Sequence, residues 1–74
     1  MTREAFLRAL DEMLELPPGT LTGPENIEDL ERWDSLAVIN LIALVDENYN
    51  IRLSPQQIGA AQTVNDLVAL TKQS

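Results

Sequence analysis

A segment rich in proline and glycine divides the chain and restricts it to a fold with one long connection. Residues 16–33 contain Pro17-Pro18-Gly19 and Gly23-Pro24, which interrupt any regular period. Apolar residues recur along the segment as anchors, namely Leu21, Ile27, Leu30 and Trp33. A loop of this length in a compact domain is usually either functional or disordered. The apolar anchors can hold the segment against a core, so we expect an ordered loop, with room for one helical turn near 27–31.

Helical periodicity flanks this loop on both sides. Helix one is predicted at about 3–15, with Thr2 as its cap and Pro17-Pro18-Gly19 as its stop. Its apolar face comprises Phe6, Leu10, Met13 and Leu14, and its polar face Arg3, Glu4, Arg8, Asp11, Glu12 and Glu15. Helix two is predicted at 36–49, with a core-facing sector of Val38, Leu41, Ile42, Val45 and Tyr49. The opposite sector holds Ser35, Leu36, Ile39, Asn40, Ala43, Asp46 and Glu47.

Two further helices complete the predicted fold. Ser54-Pro55-Gln56-Gln57 is typical of a helix start, and Gly59 limits this third helix to about 55–60. Thr63 begins a fourth helix, with an apolar stripe of Val64, Leu67, Val68 and Leu70. We therefore expect one all-α domain over 1–74, a small bundle of three longer helices and a short third one.

The residues that the sequence lacks exclude several functions. It contains no cysteine and no histidine, so it offers neither a thiolate nor a ready general base, and an independent enzyme is not expected. Its net charge of −7 argues against nucleic-acid binding, because the phosphates would repel it. No signal peptide or membrane span is apparent, and we expect a soluble, cytoplasmic monomer without a metal site.

The negative charge is concentrated in the middle of the chain. Residues 25–47 contain seven carboxylates and one basic residue, Arg32. This distribution predicts a partner with a basic surface. The aliphatic residues Leu36 and Ile39 flank Ser35 on the same helix, either packing under another segment or forming part of a docking patch with Ala43, Asp46 and Glu47.

One motif resembles the start of a calcium-binding loop but lacks two residues that such a loop requires. Asp46, Asn48 and Asn50 have the spacing of the first EF-hand ligands, but Ile51 replaces the required glycine and Gln57 the bidentate glutamate. The cluster is more typical of a helix end, where Asn48 or Asn50 adopts a left-handed backbone.

The Asp34-Ser35 pair lies at the start of helix two, where either residue can be the N-cap. Capping alone would account for the pair. The same geometry suits a phosphodiester on the serine hydroxyl, because a helix N-terminus favours an anion by about 0.3–1 kcal/mol. Since the chain has no base to activate this serine, another enzyme would have to modify it.

Asp34-Ser35-Leu36 resembles the D-S-L motif of acyl carrier proteins, whose serine receives 4′-phosphopantetheine from coenzyme A. The agreement extends to Asp46-Glu47-Asn48-Tyr49 at the end of helix two, Ser54-Pro55, and Thr63-Val64-Asn65-Asp66-Leu67-Val68. The resemblance implies that Ser35 carries the arm, that Asp34 positions it, and that acyl groups are held as thioesters. It implies a phosphopantetheinyl transferase and acyl-processing enzymes as partners, which would contact Leu36, Ile39, Ala43, Asp46 and Glu47.

The sequence also departs from the carriers of fatty-acid synthesis. Arg32-Trp33 replaces the small pair that usually precedes D-S-L, and Ala37 and Asn40 stand where those carriers have carboxylates. The departures favour a discrete carrier of a specialised pathway, such as polyketide-like synthesis or sugar acylation. The alternative from another class is an unmodified acidic adaptor domain, which would need nothing from Ser35.

Overall fold

The computed structural model describes residues 2–71, in which four α-helices and a short 3₁₀ turn follow one another without a β-strand. The helices are α1 (Arg3–Met13), α2 (Ser35–Tyr49), α3 (Pro55–Gly59) and α4 (Val64–Leu70), and the 3₁₀ turn spans Ile27–Asp29. The predicted all-α fold with a long first connection and a short third helix is confirmed. Within the described residues, no helix is long and apolar enough to cross a membrane.

Helix α1 ends two residues before the predicted boundary. Its backbone leaves the helix at Glu15, which adopts a left-handed conformation with φ of 59°. The N–H of Leu16 then donates to the carbonyl of Asp11 at 2.7 Å, and the N–H of Glu15 donates to the carbonyl of Glu12 at 3.1 Å. This is a Schellman motif, so the last carbonyls of α1 are paired within the helix end itself, ahead of the proline pair.

Asp11 was predicted on the polar face of α1, and that prediction is wrong. Its side chain is buried and accepts hydrogen bonds from the backbone N–H groups of Gly19 at 2.9 Å and Leu21 at 3.0 Å. A buried carboxylate is tolerated because backbone donors satisfy it. Asp11 thereby fastens the first part of the long loop onto α1.

The second part of the loop is fastened to the start of α4. An isolated antiparallel bridge joins Asn26 to Thr63, and the N–H of Ile27 donates to the carbonyl of Gln62 at 2.9 Å. In addition, the N–H of Asn65 donates to the carbonyl of Gly23 at 2.8 Å. The prediction of an ordered loop is therefore confirmed, and its single helical turn is the 3₁₀ turn.

Gly23 is required where the loop meets α4. It is buried with φ of 129°, and a Cβ built on it would lie 2.3 Å from Oδ1 of Asn65. Arg3 of α1 donates to that same oxygen at 2.6 Å and to the carbonyl of Thr22 at 3.2 Å. The loop, α1 and α4 thus meet so closely at position 23 that only glycine, which has no side chain, fits there.

The core lies between the helices and beneath the loop. Leu41 and Val45 of the predicted core sector of α2 are fully buried, whereas Val38, Ile42 and Tyr49 are partly buried. Ala37, which was not assigned to the sector, is buried as well because the first turn of α2 packs closely against the core. The remaining buried apolar side chains are Phe6, Leu7, Leu10, Leu14, Leu21, Ile27, Leu53, Ile58, Val64, Leu67 and Val68.

Capping boxes determine where the two short helices begin. Ser54 and Gln57 form a reciprocal capping box at α3, with Pro55 in its first turn, and Thr63 and Asp66 form another at α4. Each box pairs N–H groups that the helix itself leaves unpaired, which is how helices of this length acquire a defined start. Helix α3 packs beside α2.

Candidate functional site

Ser35 is the first residue of α2, and its side chain is exposed. The preceding residue, Asp34, is the N-cap, and its carboxylate accepts from the N–H of Ala37 at 2.9 Å. Of the two candidate caps the structure therefore selects Asp34, which moves the helix start one residue ahead of the predicted position. Because Asp34 does the capping, the hydroxyl of Ser35 is not needed for it and is accessible to a modifying enzyme.

Leu36 and Ile39 lie on the solvent side of α2, adjacent to this serine. Their side chains are 63% and 61% exposed, and they are the only large apolar side chains exposed between residues 2 and 71. The alternative that they pack under the loop or a later helix is therefore wrong. Since residues three and four positions apart share a helix face, Leu36, Ile39 and Ala43 form an apolar strip.

The acidic end of that strip consists of Asp46 and Glu47, both exposed. Asp46 and Asn48 lie inside α2, and Asn48 donates from its side chain to the carbonyl of Leu44 at 2.8 Å. A continuous helix cannot wrap around a cation as an EF-hand loop does. The left-handed residue at this helix end is Asn50, with φ of 55°, which confirms one of the two predicted positions.

Ser35 borders an apolar cleft between α2 and α3. The cleft has a volume of about 330 Å³ and is lined by Trp33, Ser35, Val38, Ile39, Pro55, Ile58 and Gly59. Its walls are mostly hydrocarbon and aromatic surface, so it suits an apolar chain that begins at the serine. The sequence predicted the helices that form this cleft but not the cleft itself, because the placement of α3 against α2 depends on tertiary packing.

A second, more polar cleft lies on the α1 side of the same helix start. Its volume is about 500 Å³, and its lining comprises Met13, Glu15, Glu31, Arg32, Asp34, Leu36, Ala37 and Asn40. Arg32 forms a salt bridge with Glu15 across it. Both clefts thus meet at the N-terminus of α2, one apolar and the other bearing a single cation.

The sequence profile of a family described as "Phosphopantetheine attachment site" matches residues 4–71. No curated protein and no solved structure matches the chain significantly. Because the match extends over nearly the whole chain, the protein belongs to this family of phosphopantetheine-bearing carrier proteins.

Family membership establishes the general function. The protein is a carrier that holds acyl intermediates as thioesters on a 4′-phosphopantetheine arm, and it is not itself a catalyst. Its partners include a phosphopantetheinyl transferase and acyl-processing enzymes. Between the two classes left open by the sequence, this finding favours the carrier over the unmodified adaptor.

The residues at the start of α2 fit such an arm. Attachment of a phosphodiester needs an accessible hydroxyl, and the exposed Ser35 has one. Arg32, which lines the neighbouring polar cleft, is a cation of the kind that binds phosphate oxygens. The adjoining apolar cleft can receive the less polar parts of the arm or its cargo. When attached, the arm supplies the thiol that a chain without cysteine lacks.

Proposed function

We propose that Ser35 is the residue that carries the phosphopantetheine arm. The principal support is the combination of the Asp34-Ser35-Leu36 motif with an exposed hydroxyl on the first residue of α2. In the transfer, the oxygen of Ser35 forms a bond to the β-phosphorus of coenzyme A. The bond from that phosphorus to the nucleotide breaks, and adenosine 3′,5′-bisphosphate leaves as the hydroxyl proton is lost. We expect the transferase to supply the base, because this chain has no histidine.

Asp34 has two roles in the proposed modification. Its carboxylate caps α2 and so fixes the orientation of the residue that follows it. It also places a negative charge beside the serine, which a transferase with a basic surface or a bound magnesium ion would recognise. Asp34 is therefore proposed as a positioning residue for the modification.

The proposed docking surface for partner enzymes is the strip formed by Leu36, Ile39, Ala43, Asp46 and Glu47. Its first two turns are apolar and its last turn is acidic, so a matching partner would present an apolar contact beside the serine and basic residues farther along α2. A docking surface of five residues on one helix supports rapid and weak association, which suits a carrier that visits several enzymes in turn.

The departures from the fatty-acid carriers support a discrete carrier of a specialised pathway. Ala37, which is buried, and Asn40, which is exposed, stand at the two positions where those carriers have carboxylates. The first turns of α2 therefore present no carboxylate to a partner. We propose that the protein acts in the cytoplasm as a monomer and does not bind nucleic acid, as its net charge of −7 favours.

Intact-mass measurement tests the attachment site. The protein is incubated with coenzyme A, magnesium and a broad-specificity phosphopantetheinyl transferase, beside Ser35→Ala and Ser54→Ala variants. We expect wild type and Ser54→Ala to gain one phosphopantetheine and Ser35→Ala to gain none. Ser54→Ala is a matched control, since Ser54 also stands at a helix start but serves its cap. Loading of Ser35→Ala would overturn the assignment.

A further inference from the structure

Arg32 is the only basic residue between positions 9 and 51 of the sequence. It lies three residues before Ser35, in the short connection that leads into α2. The segment around it, 25–47, contains seven carboxylates. Arg32 is therefore the cationic side chain nearest in sequence to any anion that becomes attached at the start of α2, and its charge adds to the attraction of the helix N-terminus.

The present partner of Arg32 holds it only weakly. Its guanidinium pairs with the carboxylate of Glu15, and the two side chains are 61% and 67% exposed. Solvent-exposed pairs of this kind contribute little to stability and exchange partners readily, because water screens the attraction. Arg32 is thus available to another anion at small cost.

The polar cleft brings Arg32 to the end of α2 that bears the serine. Arg32 lines this cleft together with Asp34 and Leu36, the residues on both sides of Ser35. Ser35 itself lines the apolar cleft, so a phosphodiester on its hydroxyl meets Arg32 only by turning toward the polar cleft. A phosphodiester on Ser35 would add a negative charge next to Asp34 and near Glu31, and these like charges repel one another. A planar guanidinium matches phosphate oxygens with two parallel hydrogen bonds and would relieve that repulsion.

We propose that Arg32 exchanges Glu15 for the phosphodiester once Ser35 carries the arm. Because the phosphate is tethered three residues away, it competes with the Glu15 carboxylate at high local concentration. The exchange anchors the root of the arm on the α1 side of α2. This inference rests on the proposed attachment at Ser35 and assigns Arg32 a positioning role within it.

Nuclear magnetic resonance of the unmodified and phosphopantetheinylated protein tests the exchange directly. In ¹⁵N-labelled wild type, the side-chain Nε–Hε signal of Arg32, identified by its absence from Arg32→Gln, is expected to shift on modification. The ³¹P signal of the phosphodiester is expected to differ between wild type and Arg32→Gln, and added salt should move the wild-type signal toward that of the variant.

Three further variants separate this role from general electrostatics. Glu15→Gln removes the competing carboxylate, so its ³¹P signal should match wild type. Arg32→Lys keeps the charge without the planar fork and should give an intermediate signal. Arg52→Gln, which removes an exposed arginine beyond the far end of α2, is the matched control and should leave the ³¹P signal unchanged.

A second readout compares unfolding before and after modification. Loading should lower the equilibrium stability of Arg32→Gln relative to wild type by up to about five-fold in the unfolding constant, the range of an exposed ion pair. An Arg32 signal that does not move on loading, together with coincident ³¹P signals in wild type and Arg32→Gln, would overturn the exchange while leaving Ser35 as the attachment site. Failure of wild type to gain mass under two unrelated transferases would overturn both proposals. If Arg32→Gln folds poorly, Arg32→Lys, which also lacks the Nε–Hε group, identifies the Arg32 signal, and a wild-type Arg32 signal that does not move on loading then overturns the exchange.

Discussion

The carboxylate of Asp11 accepts a hydrogen bond from the backbone N–H of Leu21 at 3.0 Å, and this contact links α1 to the loop that leads toward the serine. The N–H of Gly19 donates to the other oxygen of the same carboxylate. Both bonds are accepted by a single buried side chain, so the attachment of residues 19–21 to α1 depends on Asp11.

Replacing Asp11 with alanine is expected to destabilise the protein by at least about 2 kcal/mol, because two backbone N–H groups lose their acceptor. Asp11→Asn retains one acceptor oxygen and should fall between alanine and wild type. Urea unfolding followed by circular dichroism measures the difference. Glu12→Ala, an exposed neighbour on the same helix, is the control and should change stability by no more than about 0.5 kcal/mol. Equal stabilities of Asp11→Ala and Glu12→Ala would contradict the role of Asp11.

Truncation of Ile39 to alanine should slow acyl transfer from partner enzymes with little loss of stability, since this side chain is 61% exposed. The measurement pairs transfer rates with urea unfolding of the same loaded protein. Leu41→Ala is the contrasting variant, because Leu41 is fully buried and its truncation should cost about 2–5 kcal/mol. If Ile39→Ala unfolds easily while its folded fraction transfers normally, Ile39 belongs to the core and the docking surface is wrongly placed.

Substitutions of Asp34 separate its two proposed parts. Asp34→Ala removes the N-cap of α2 and should lower stability by about 1 kcal/mol, whereas Asp34→Asn keeps an acceptor for the Ala37 N–H and should remain close to wild type. Asp34→Asn should nevertheless be modified more slowly by the transferase, because the negative charge is gone. Loading rates from intact mass, measured beside unfolding curves, provide the test. An Asp34→Asn protein that loads at the wild-type rate would leave capping as the only function of Asp34.

Acid is expected to loosen the loop through Glu25. Partial burial disfavours the charged carboxylate, but the backbone N–H groups of Thr22 and Gly23 and the hydroxyl of Thr22 outweigh that effect and lower the pKa of Glu25 below its ordinary value of 4.5. Hydrogen bonds from the N–H groups of Gln62 and Thr63 likewise lower the pKa of Asp66 below 3.8. A carboxyl with a lowered pKa in the folded state stabilises the protein above its unfolded pKa, and that contribution is lost as the pH falls through the folded pKa.

The free energy of unfolding should therefore decline as the pH falls below about 4.5, with a shallower decline in Glu25→Gln. Urea unfolding at a series of pH values between about 6 and 3 measures both slopes. Glu28→Gln removes a charge from an exposed residue of the same loop and controls for the change in net charge. Identical pH profiles for Glu25→Gln and Glu28→Gln would contradict this account of Glu25.

The sequence predicted the helices well where local signals determine them. The capping motifs of Ser54 and Thr63 and the periodicity of α2 act within a few residues, so their consequences can be read from the chain alone. The end of α1 was misplaced because a left-handed residue is usually glycine or asparagine, and here it is Glu15. The backbone pairing that holds Glu15 in place is not visible in its residue type.

The candidate site likewise has features that local sequence predicts and features that depend on tertiary packing. The motif predicted Ser35 and Asp34 as site residues, which stays a prediction. The helical wheel placed Leu36 and Ile39 opposite the core-facing sector but left open whether another segment covers them, and only the folded structure shows that they are exposed. Asp11 resembled a surface residue, because its partners are backbone groups of residues 19 and 21 that only the folded loop brings near. The clefts beside Ser35 likewise depend on how α1 and α3 pack against α2, which periodicity does not determine.

The close approach at Gly23 limits how such carriers can be recombined. The loop before α2 is held by Arg3 of α1 and by the first residues of α4, so residues distant in sequence share one set of hydrogen bonds. A chimera that imports only a loop with any residue other than glycine at position 23 would place a Cβ against the side chains of Asn65 and Arg3. Exchange of the loop together with residues 62–65 and the start of α1 would preserve these contacts, so the transplantable unit is discontinuous in the chain.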